Sequence, residues 1–112
     1  MGKGFFVMVD GLDGSGKGTI VEGLGAWAKE KKLRVFDLRA HCKKHREYPE
    51  PDELKAYDVI LSAEPTYSHI GHIIRTELIK NSHRKYSGTS TAHAFALDRE
   101  ILYRKVILPA LE

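Results

Sequence analysis

The sequence is poor in the features that mark secreted, membrane-spanning or nucleic-acid-binding proteins. Its single cysteine, Cys42, excludes an intramolecular disulfide and favours a reducing compartment. No apolar run approaches the roughly 18 residues of a membrane span, and the run at 5–9 is too short for the apolar core of a signal peptide. The net charge of +3 suits anionic ligands but is too small to indicate nucleic acid. We therefore predict a cytoplasmic protein with no membrane or nucleic-acid partner.

The length of 112 residues predicts one domain, covering residues 1–112. Three short β-prone runs predict buried parallel strands, at 5–9, 33–38 and 57–62. Apolar residues at helical spacing predict three helices, from about 17 to 31, from 69 to 80 and from 92 to 111. We expect Ser90 or Thr91 to cap the last helix, and the polar stretch at 39–57 to be loop except for one helical turn at 51–54.

The element order is typical of an α/β protein that lacks its last part. Nothing after the last predicted helix returns to the sheet, and a doubly wound sheet normally needs more chain than this. We predict an α/β fold with three αβα layers around a parallel sheet, incomplete on its C-terminal side.

A glycine-rich loop, Gly-Leu-Asp-Gly-Ser-Gly-Lys-Gly-Thr at 11–19, lies between the first predicted strand and the first predicted helix. Its glycines remove Cβ atoms and allow positive φ, so that backbone N–H groups can converge on a polyphosphate. Strand, glycine loop, lysine and helix together are the context that a P-loop requires. The predicted phosphate-binding residues are Gly11, Leu12, Asp13, Gly14, Ser15, Gly16, Lys17, Gly18 and Thr19. A glycine-rich turn without a ligand is the alternative.

Lys17 is predicted to reach the β- and γ-phosphates of a nucleoside triphosphate, assisted by the partial charge of the helix that begins near it. Gly18 stands where a Ser or Thr normally offers a hydroxyl to Mg²⁺. The side chain of Thr19 is turned about 100° along the helix. We therefore predict no direct side-chain ligand for the metal at 18–19, an arrangement that resembles adenylate kinases.

Four stretches of the chain together resemble thymidylate kinases. They are Val-Asp-Gly-Leu-Asp-Gly-Ser-Gly-Lys at 9–17, Glu-Pro-Thr at 64–66 with Gly-His-Ile-Ile-Arg at 71–75, Phe-Ala-Leu-Asp-Arg at 95–99, and Ile-Leu-Pro-Ala-Leu at 107–111. The resemblance implies a P-loop nucleoside monophosphate kinase that transfers the γ-phosphoryl group of ATP to dTMP, giving dTDP, with Mg²⁺. It covers nearly all of this chain but only the N-terminal part of the family's domain.

The resemblance also implies the residues that bind the acceptor nucleotide. Phe95 would stack on the thymine ring, and Arg99, four residues later on the same helix face, would hydrogen-bond the base edge. Arg75 would contact the acceptor phosphate, and Glu64 would shape the floor of the acceptor pocket. Ala63, before Glu64, stands where the family often has an arginine.

The resemblance further implies catalytic roles for Lys17, Asp13 and Arg99. Asp13 would lie near the sugar 3′-hydroxyl, and Mg²⁺ held with ATP would have its water shell near Asp13 or Asp10. Asp10 occupies the tip of the first predicted strand, where the family usually has Glu. Thymidylate kinases are commonly dimers, so a homodimer is compatible with the resemblance.

Structural interpretations stand beside these roles. Phe95 is equally compatible with a core position, Arg99 with an ion pair to Glu100 or another surface acid, and Arg75 with a solvated helix surface. Asp98 is predicted to support its neighbours rather than to act directly. His41, Cys42 and His45 are residue types that can bind zinc, but they lie in a polar segment and have no matching pair of ligands elsewhere in the sequence. We therefore do not predict a zinc site.

Two other functions remain open at the level of sequence. One is a P-loop kinase for another nucleotide or a nucleoside, which would not depend on Arg99 for base discrimination. The other is a fragment that binds ATP without catalysing transfer, because the family's lid and a later arginine-bearing motif lie beyond residue 112.

Overall fold

The computed structural model describes residues 4–9, 16–80 and 85–111, and shows a mixed α/β protein with a small parallel sheet. The helices and strands, in chain order, are α1 Lys17–Glu30, β1 Val35–Asp37, α2 Leu38–His45, α3 Pro51–Leu54, β2 Val59–Leu61, α4 His69–Ile73, α5 Gly88–Leu102 and α6 Leu108–Leu111. Two π-helical turns continue the helices that precede them, Ile74–Leu78 after α4 and Tyr103–Ile107 after α5.

The predicted second and third strands are confirmed as β1 and β2, each three residues long. They pair in parallel, with Val35 opposite Val59 and Asp37 opposite Leu61. At the start of the pair Asp58 accepts hydrogen bonds from the backbone N–H of Arg34 at 2.8 Å and from its Nε at 3.2 Å. This double contact fixes the register, because it joins the residues that enter the two strands.

The prediction of a strand at 5–9 is wrong for the structure described. Residues 4–9 have no regular secondary structure, and Phe5 is 95% exposed. The backbone N–H of Gly4 donates to the carbonyl of Leu111 at 3.2 Å, and the Phe6 ring meets Tyr103 edge-on. An apolar run becomes a strand only where a neighbouring strand takes its backbone groups, and the described sheet consists of β1 and β2.

The helix predicted after the glycine loop is confirmed as α1, but its predicted apolar face is only partly buried. Ala28 is buried, whereas Ile20, Leu24 and Trp27 are between 46% and 52% exposed. The described sheet is too narrow to cover the whole face, and α1 meets it through its small residues. A Cβ added at Gly25 would lie 2.9 Å from a methyl group of Leu61 in β2.

The polar stretch at 39–57 contains a helix, α2, that we predicted as loop. Asp37 caps α2 by accepting the backbone N–H groups of Arg39 at 3.0 Å and Ala40 at 3.3 Å. Leu38 and Cys42, one turn apart, are buried beneath an otherwise charged helix surface. The single helical turn predicted at 51–54 is confirmed as α3.

The two later predicted helices are confirmed, but their ends differ from the predicted ones. The predicted helix at 69–80 runs through α4 and its π-helical turn to Leu78. The last helix begins at Gly88, four residues earlier than predicted, because Ser87 rather than Ser90 or Thr91 is the cap. The Ser87 hydroxyl accepts the backbone N–H of Ser90 at 3.0 Å.

The hydrophobic core lies between α2, α3, the end of α5 and the π-helical turn that follows α5. Its buried members are Leu38, Cys42, Leu54, Leu102, Val106 and Ile107. Within the described ranges, no helix has the length and apolar character needed to cross a bilayer.

Candidate active site

The last part of the predicted phosphate loop is described, at the start of α1. Gly16 precedes the helix with a φ of 94°, a conformation that favours glycine, and a Cβ there would meet nothing within 4 Å. Lys17 is the first residue of the helix, followed by exposed Gly18 and Thr19. The other predicted phosphate-binding residues, Gly11, Leu12, Asp13, Gly14 and Ser15, and also Asp10, lie outside the described residues.

The start of α1 has the electrostatics of an anion site. Among the described residues no side chain caps the helix, and its first turn contains no acidic residue. The N–H groups of the first turn lack carbonyl partners within a helix, so they and the helix dipole favour a bound anion. Residues 16–19 therefore fit a polyphosphate.

The predicted acceptor-binding residues Glu64, Arg75 and Arg99, called here the acceptor cluster, converge on residues 64–66, just after β2. Nε of Arg99 donates to Oε1 of Glu64 at 2.7 Å, although the two residues are 35 positions apart. The Glu64 side chain is 23% exposed and that of Arg99 is 61% exposed. The alternative interpretation of Arg99, an ion pair with an acid, is thus met by Glu64 and not by Glu100, which accepts from Nε of Arg104 at 3.0 Å.

Arg75 approaches the same residues from the π-helical turn that follows α4. Its guanidinium donates to the backbone carbonyls of Pro65 and of Thr66, the latter at 3.2 Å from Nε. The guanidinium also lies over the Tyr67 ring, 4.0 Å from the ring centroid, where Lys43 of α2 lies at 4.4 Å. The interpretation of Arg75 as a solvated surface residue is therefore wrong.

Phe95 lies on α5 one turn before Arg99 and is 37% exposed. It is not a member of the buried core cluster, so the core interpretation does not hold in the structure described. A partly exposed ring on the helix face that carries Arg99 presents an apolar surface beside a guanidinium, the combination that suits a flat base with a polar edge.

Asp98 supports this region from inside, as predicted from the sequence. It is 1% exposed, and its carboxylate accepts the backbone N–H and the hydroxyl of Thr66, each at 2.7 Å. Hydrogen bonds to a charged acceptor are short and strong, particularly away from water. Two consecutive residues of α5, Asp98 and Arg99, thus contact Thr66 and Glu64.

Three hydroxyl groups to which the sequence analysis assigned no role lie around Asp98, those of Thr66, Ser68 and Tyr48. Thr66 and Ser68 oxygens are 2.7 Å apart, and the Tyr48 hydroxyl is 3.3 Å from the Thr66 hydroxyl. Burial raises the pKa of the Tyr48 phenol, and the charge of Asp98 adds to the rise. These residues come from segments 18 to 32 positions apart, so only the fold brings them together.

Gly71 allows α4 to pack directly on the turn at 64–66. A Cβ at this position would overlap the backbone carbonyl of Thr66. The close approach places Arg75, one helical turn later, within reach of the same carbonyl oxygen.

The described residues contain no group of three or more His, Cys, Asp or Glu side chains placed to hold a metal ion. The rings of His41 and His45 lie against each other at a tilt of 44°, with centroids 4.7 Å apart, while Cys42 is part of the core and is 1% exposed.

Comparison with known proteins gives matches over almost the entire chain. It is 34% identical over 113 residues to a probable thymidylate kinase of Pyrococcus abyssi, covering 98% of this chain and 43% of the relative. A probable thymidylate kinase of Pyrococcus horikoshii is 32% identical over 112 residues, covering 97% of this chain and 43% of the relative. The thymidylate kinase of Nitrosomonas eutropha is 30% identical over 112 residues, covering the whole chain and 40% of the relative.

All three of these relatives are named as kinases. Their particular family is the thymidylate kinases, so the resemblance that the four sequence motifs indicated is confirmed. The chain spans 40% to 43% of the length of these curated relatives, or about two fifths. No protein-family model matches the chain. No solved structure matches it significantly.

Proposed function

We propose that this chain is part of a nucleoside monophosphate kinase that transfers the γ-phosphoryl group of ATP to dTMP, giving dTDP and ADP. One observation carries the proposal: residues that the motifs assign to the acceptor, Glu64, Arg75 and Arg99, meet around residues 64–66. The relatives named thymidylate kinase match the chain across the segments that supply these residues.

In this proposal residues 16–19 hold the donor phosphates. Backbone N–H groups at the start of α1 bind phosphate oxygens, and the ammonium group of Lys17 neutralises charge on the transferring group. Phosphoryl transfer depends mainly on position and on such positive charges, so these groups lower the barrier without forming covalent bonds. Asp13, which lies outside the described residues, is proposed to act near the acceptor sugar.

The acceptor cluster orients the other substrate. Phe95 stacks on the thymine ring, and Arg99, held by Glu64, presents guanidinium N–H groups to the base edge. Arg75 is proposed to attract the acceptor phosphate while its Nε stays on the Thr66 carbonyl. Mg²⁺, bound with ATP, supplies charge neutralisation at the phosphates; we propose no direct ligand from Gly18 or Thr19 and a water shell near Asp10 or Asp13.

The finer architecture is proposed on the same basis. We propose that β1 and β2 belong to the parallel sheet of a three-layer P-loop fold, and that residues 1–112 are one portion of a single kinase domain, incomplete on the C-terminal side. We also propose a cytoplasmic enzyme, compatible with a homodimer, that uses nucleotides and has no nucleic-acid partner.

The proposal is tested by a coupled assay of ADP release, using the protein expressed from its complete reading frame with ATP and Mg²⁺. The acceptors are dTMP, dUMP, dGMP and AMP, assayed separately. Turnover that strongly prefers dTMP supports the proposal. Turnover with another acceptor favours a different P-loop kinase, and ATP binding without turnover favours a non-catalytic nucleotide-binding protein.

A further inference from the structure

The side chains of Tyr48, Thr66, Ser68 and Asp98 form one buried hydrogen-bonded group, called here the hydroxyl network. Thr66, Ser68 and Asp98 are 3%, 4% and 1% exposed. Throughout the described residues, every buried side-chain nitrogen or oxygen has a hydrogen-bond partner. A fully satisfied network in a low-dielectric interior holds its members in one arrangement.

The carboxylate gives the network a direction. The Thr66 hydroxyl donates to Oδ1 of Asp98 at 2.7 Å, and the Tyr48 hydroxyl donates to the Thr66 oxygen at 3.3 Å. Because the Thr66 proton is used on Asp98, the Ser68 hydroxyl donates either to the Thr66 oxygen at 2.7 Å or to the Tyr48 oxygen at 3.2 Å. Thr66 is therefore the member through which the other hydroxyl groups reach Asp98.

Thr66 also belongs to the turn on which the acceptor cluster converges. Its carbonyl accepts from Arg75, and its N–H is bound by Asp98 on the buried side. Glu64, two residues earlier, accepts from Arg99. The position of Thr66 therefore determines where both arginines of the acceptor cluster find their partners.

We propose that Asp98 and Tyr48 are positioning residues of the acceptor site: by fixing Thr66, they set the geometry of the acceptor cluster without touching the substrate. The inference rests on the proposed kinase function. It gives a role to the segment before α3, since Tyr48 comes from the stretch between α2 and α3 and closes the network from the side opposite α5.

The kinetic test uses Asp98→Asn, Thr66→Val and Tyr48→Phe in the protein from the complete reading frame. Asp98→Asn and Thr66→Val should lower kcat/KM for dTMP about tenfold, and Tyr48→Phe about threefold, because a displaced positioning group weakens productive binding. The KM for ATP should stay within about twofold of the wild-type value. Thr66→Ser, which keeps the hydroxyl, should restore most of the activity.

Asp58→Asn is the matched control, because Asp58 also accepts backbone and side-chain hydrogen bonds, but at the strand entries. It should change neither kinetic constant. Tyr48→Phe keeps its size and most of its packing, so it remains informative if Asp98→Asn does not fold. Unchanged dTMP constants in a folded Asp98→Asn or Tyr48→Phe variant, with an active wild type, would overturn the inference.

A second readout separates this inference from the proposed function. The Nε–H of Arg99, which is bonded to Glu64, can be followed by nitrogen-15 NMR after its assignment with Arg99→Lys. Its exchange with solvent should become about tenfold faster in Asp98→Asn and remain unchanged in Asp58→Asn. If the wild type phosphorylates no acceptor, the proposed function fails and this measurement decides the inference; equal exchange rates in wild type and Asp98→Asn would overturn it.

Discussion

Arg99 donates from Nε to Oε1 of Glu64 at 2.7 Å, across 35 positions of sequence. The pair joins α5 to the residues that follow β2, and it unites two side chains that the motifs had assigned separately to the acceptor. A bonded Nε orients the planar guanidinium, so its remaining N–H groups have defined directions. This is the geometry that base-edge recognition requires, because a freely rotating side chain would discriminate poorly between bases.

The first prediction concerns Arg99→Ala. Because the Arg99 side chain is 61% exposed, the loss of its pair with Glu64 should cost only about 1 kcal/mol of folding free energy. The kcat/KM for dTMP should nevertheless fall at least about tenfold, and discrimination between dTMP and the other nucleotides should shrink. Steady-state kinetics with each acceptor and chemical denaturation measure the two effects.

Arg104→Ala is the control for that variant. Arg104, on the π-helical turn after α5, forms a more exposed ion pair with Glu100 of α5. The Arg104→Ala variant should leave the kcat/KM for each acceptor nucleotide unchanged. Equal losses in the two variants would show that the effect of Arg99 comes from the helix surface and not from recognition.

The second prediction concerns Gly71→Ala. A Cβ at this position overlaps the carbonyl of Thr66, so α4 must move away from the turn, and Arg75 with it. Overpacking against rigid backbone should lower the free energy of unfolding by about 1–3 kcal/mol or more. Gly23→Ala in α1 is the control: its Cβ meets nothing within 4 Å, and alanine should raise stability by about 0.5–1 kcal/mol. Two denaturation curves shifted in the same direction would contradict this account.

The third prediction is a pH dependence of stability. Hydrogen bonds from Arg34 hold the pKa of Asp58 below its ordinary value of 3.8. As the pH falls, the unfolded chain therefore takes up a proton at Asp58 before the folded chain does. The stabilisation that the Arg34–Asp58 contact gives the folded state is thus present above about pH 4 and is lost as the pH falls through the pKa of Asp58 in the folded state. Asp58→Asn should make the fall in stability between pH 5 and 3, measured by urea denaturation, shallower.

The fourth prediction concerns the thiol of Cys42. Burial, with a smaller effect from the charge of Asp98, raises its pKa to about 11. Since the thiolate is the reactive form, the native protein at pH 8 should react with an aromatic disulfide reagent at least about 100-fold more slowly than the protein in guanidinium. Cys42 is the single cysteine of residues 1–112, and its labelling is read from the peptide that contains it. Rapid stoichiometric labelling of the native protein would place Cys42 outside the core.

Periodicity and motif spacing were sufficient to predict α1, the pair of parallel strands and the two later helices, because each has an apolar pattern, although the ends of the later helices were predicted less well. The helix α2 was missed because its apolar stripe is narrow, only Leu38 and Cys42, within a charged segment. Asp37, a good helix cap directly before it, was the signal that could have revealed it. The run at 5–9 was assigned as a strand on composition, but strand formation depends on a partner that local sequence does not specify.

The sequence likewise predicted one part of the candidate site and missed another. The motifs located Glu64, Arg75 and Arg99, but not the contacts among them, because side-chain pairing across 35 positions depends on how α5 packs on the turn. Thr66, Ser68 and Tyr48 have no chemical signature in sequence, since isolated hydroxyl residues are common on surfaces. Only the buried carboxylate of Asp98 and the fold join them into one hydrogen-bonded network.

The most direct test of the central claim is product identification for the protein from the complete reading frame, incubated with ATP, Mg²⁺ and dTMP and resolved by anion-exchange chromatography. The wild type should form dTDP and ADP in equal amounts. Lys17→Ala should reduce the rate at least about 100-fold, whereas Lys29→Ala, near the other end of α1, should not change it. ADP without dTDP, or undiminished dTDP formation by Lys17→Ala, would contradict the account.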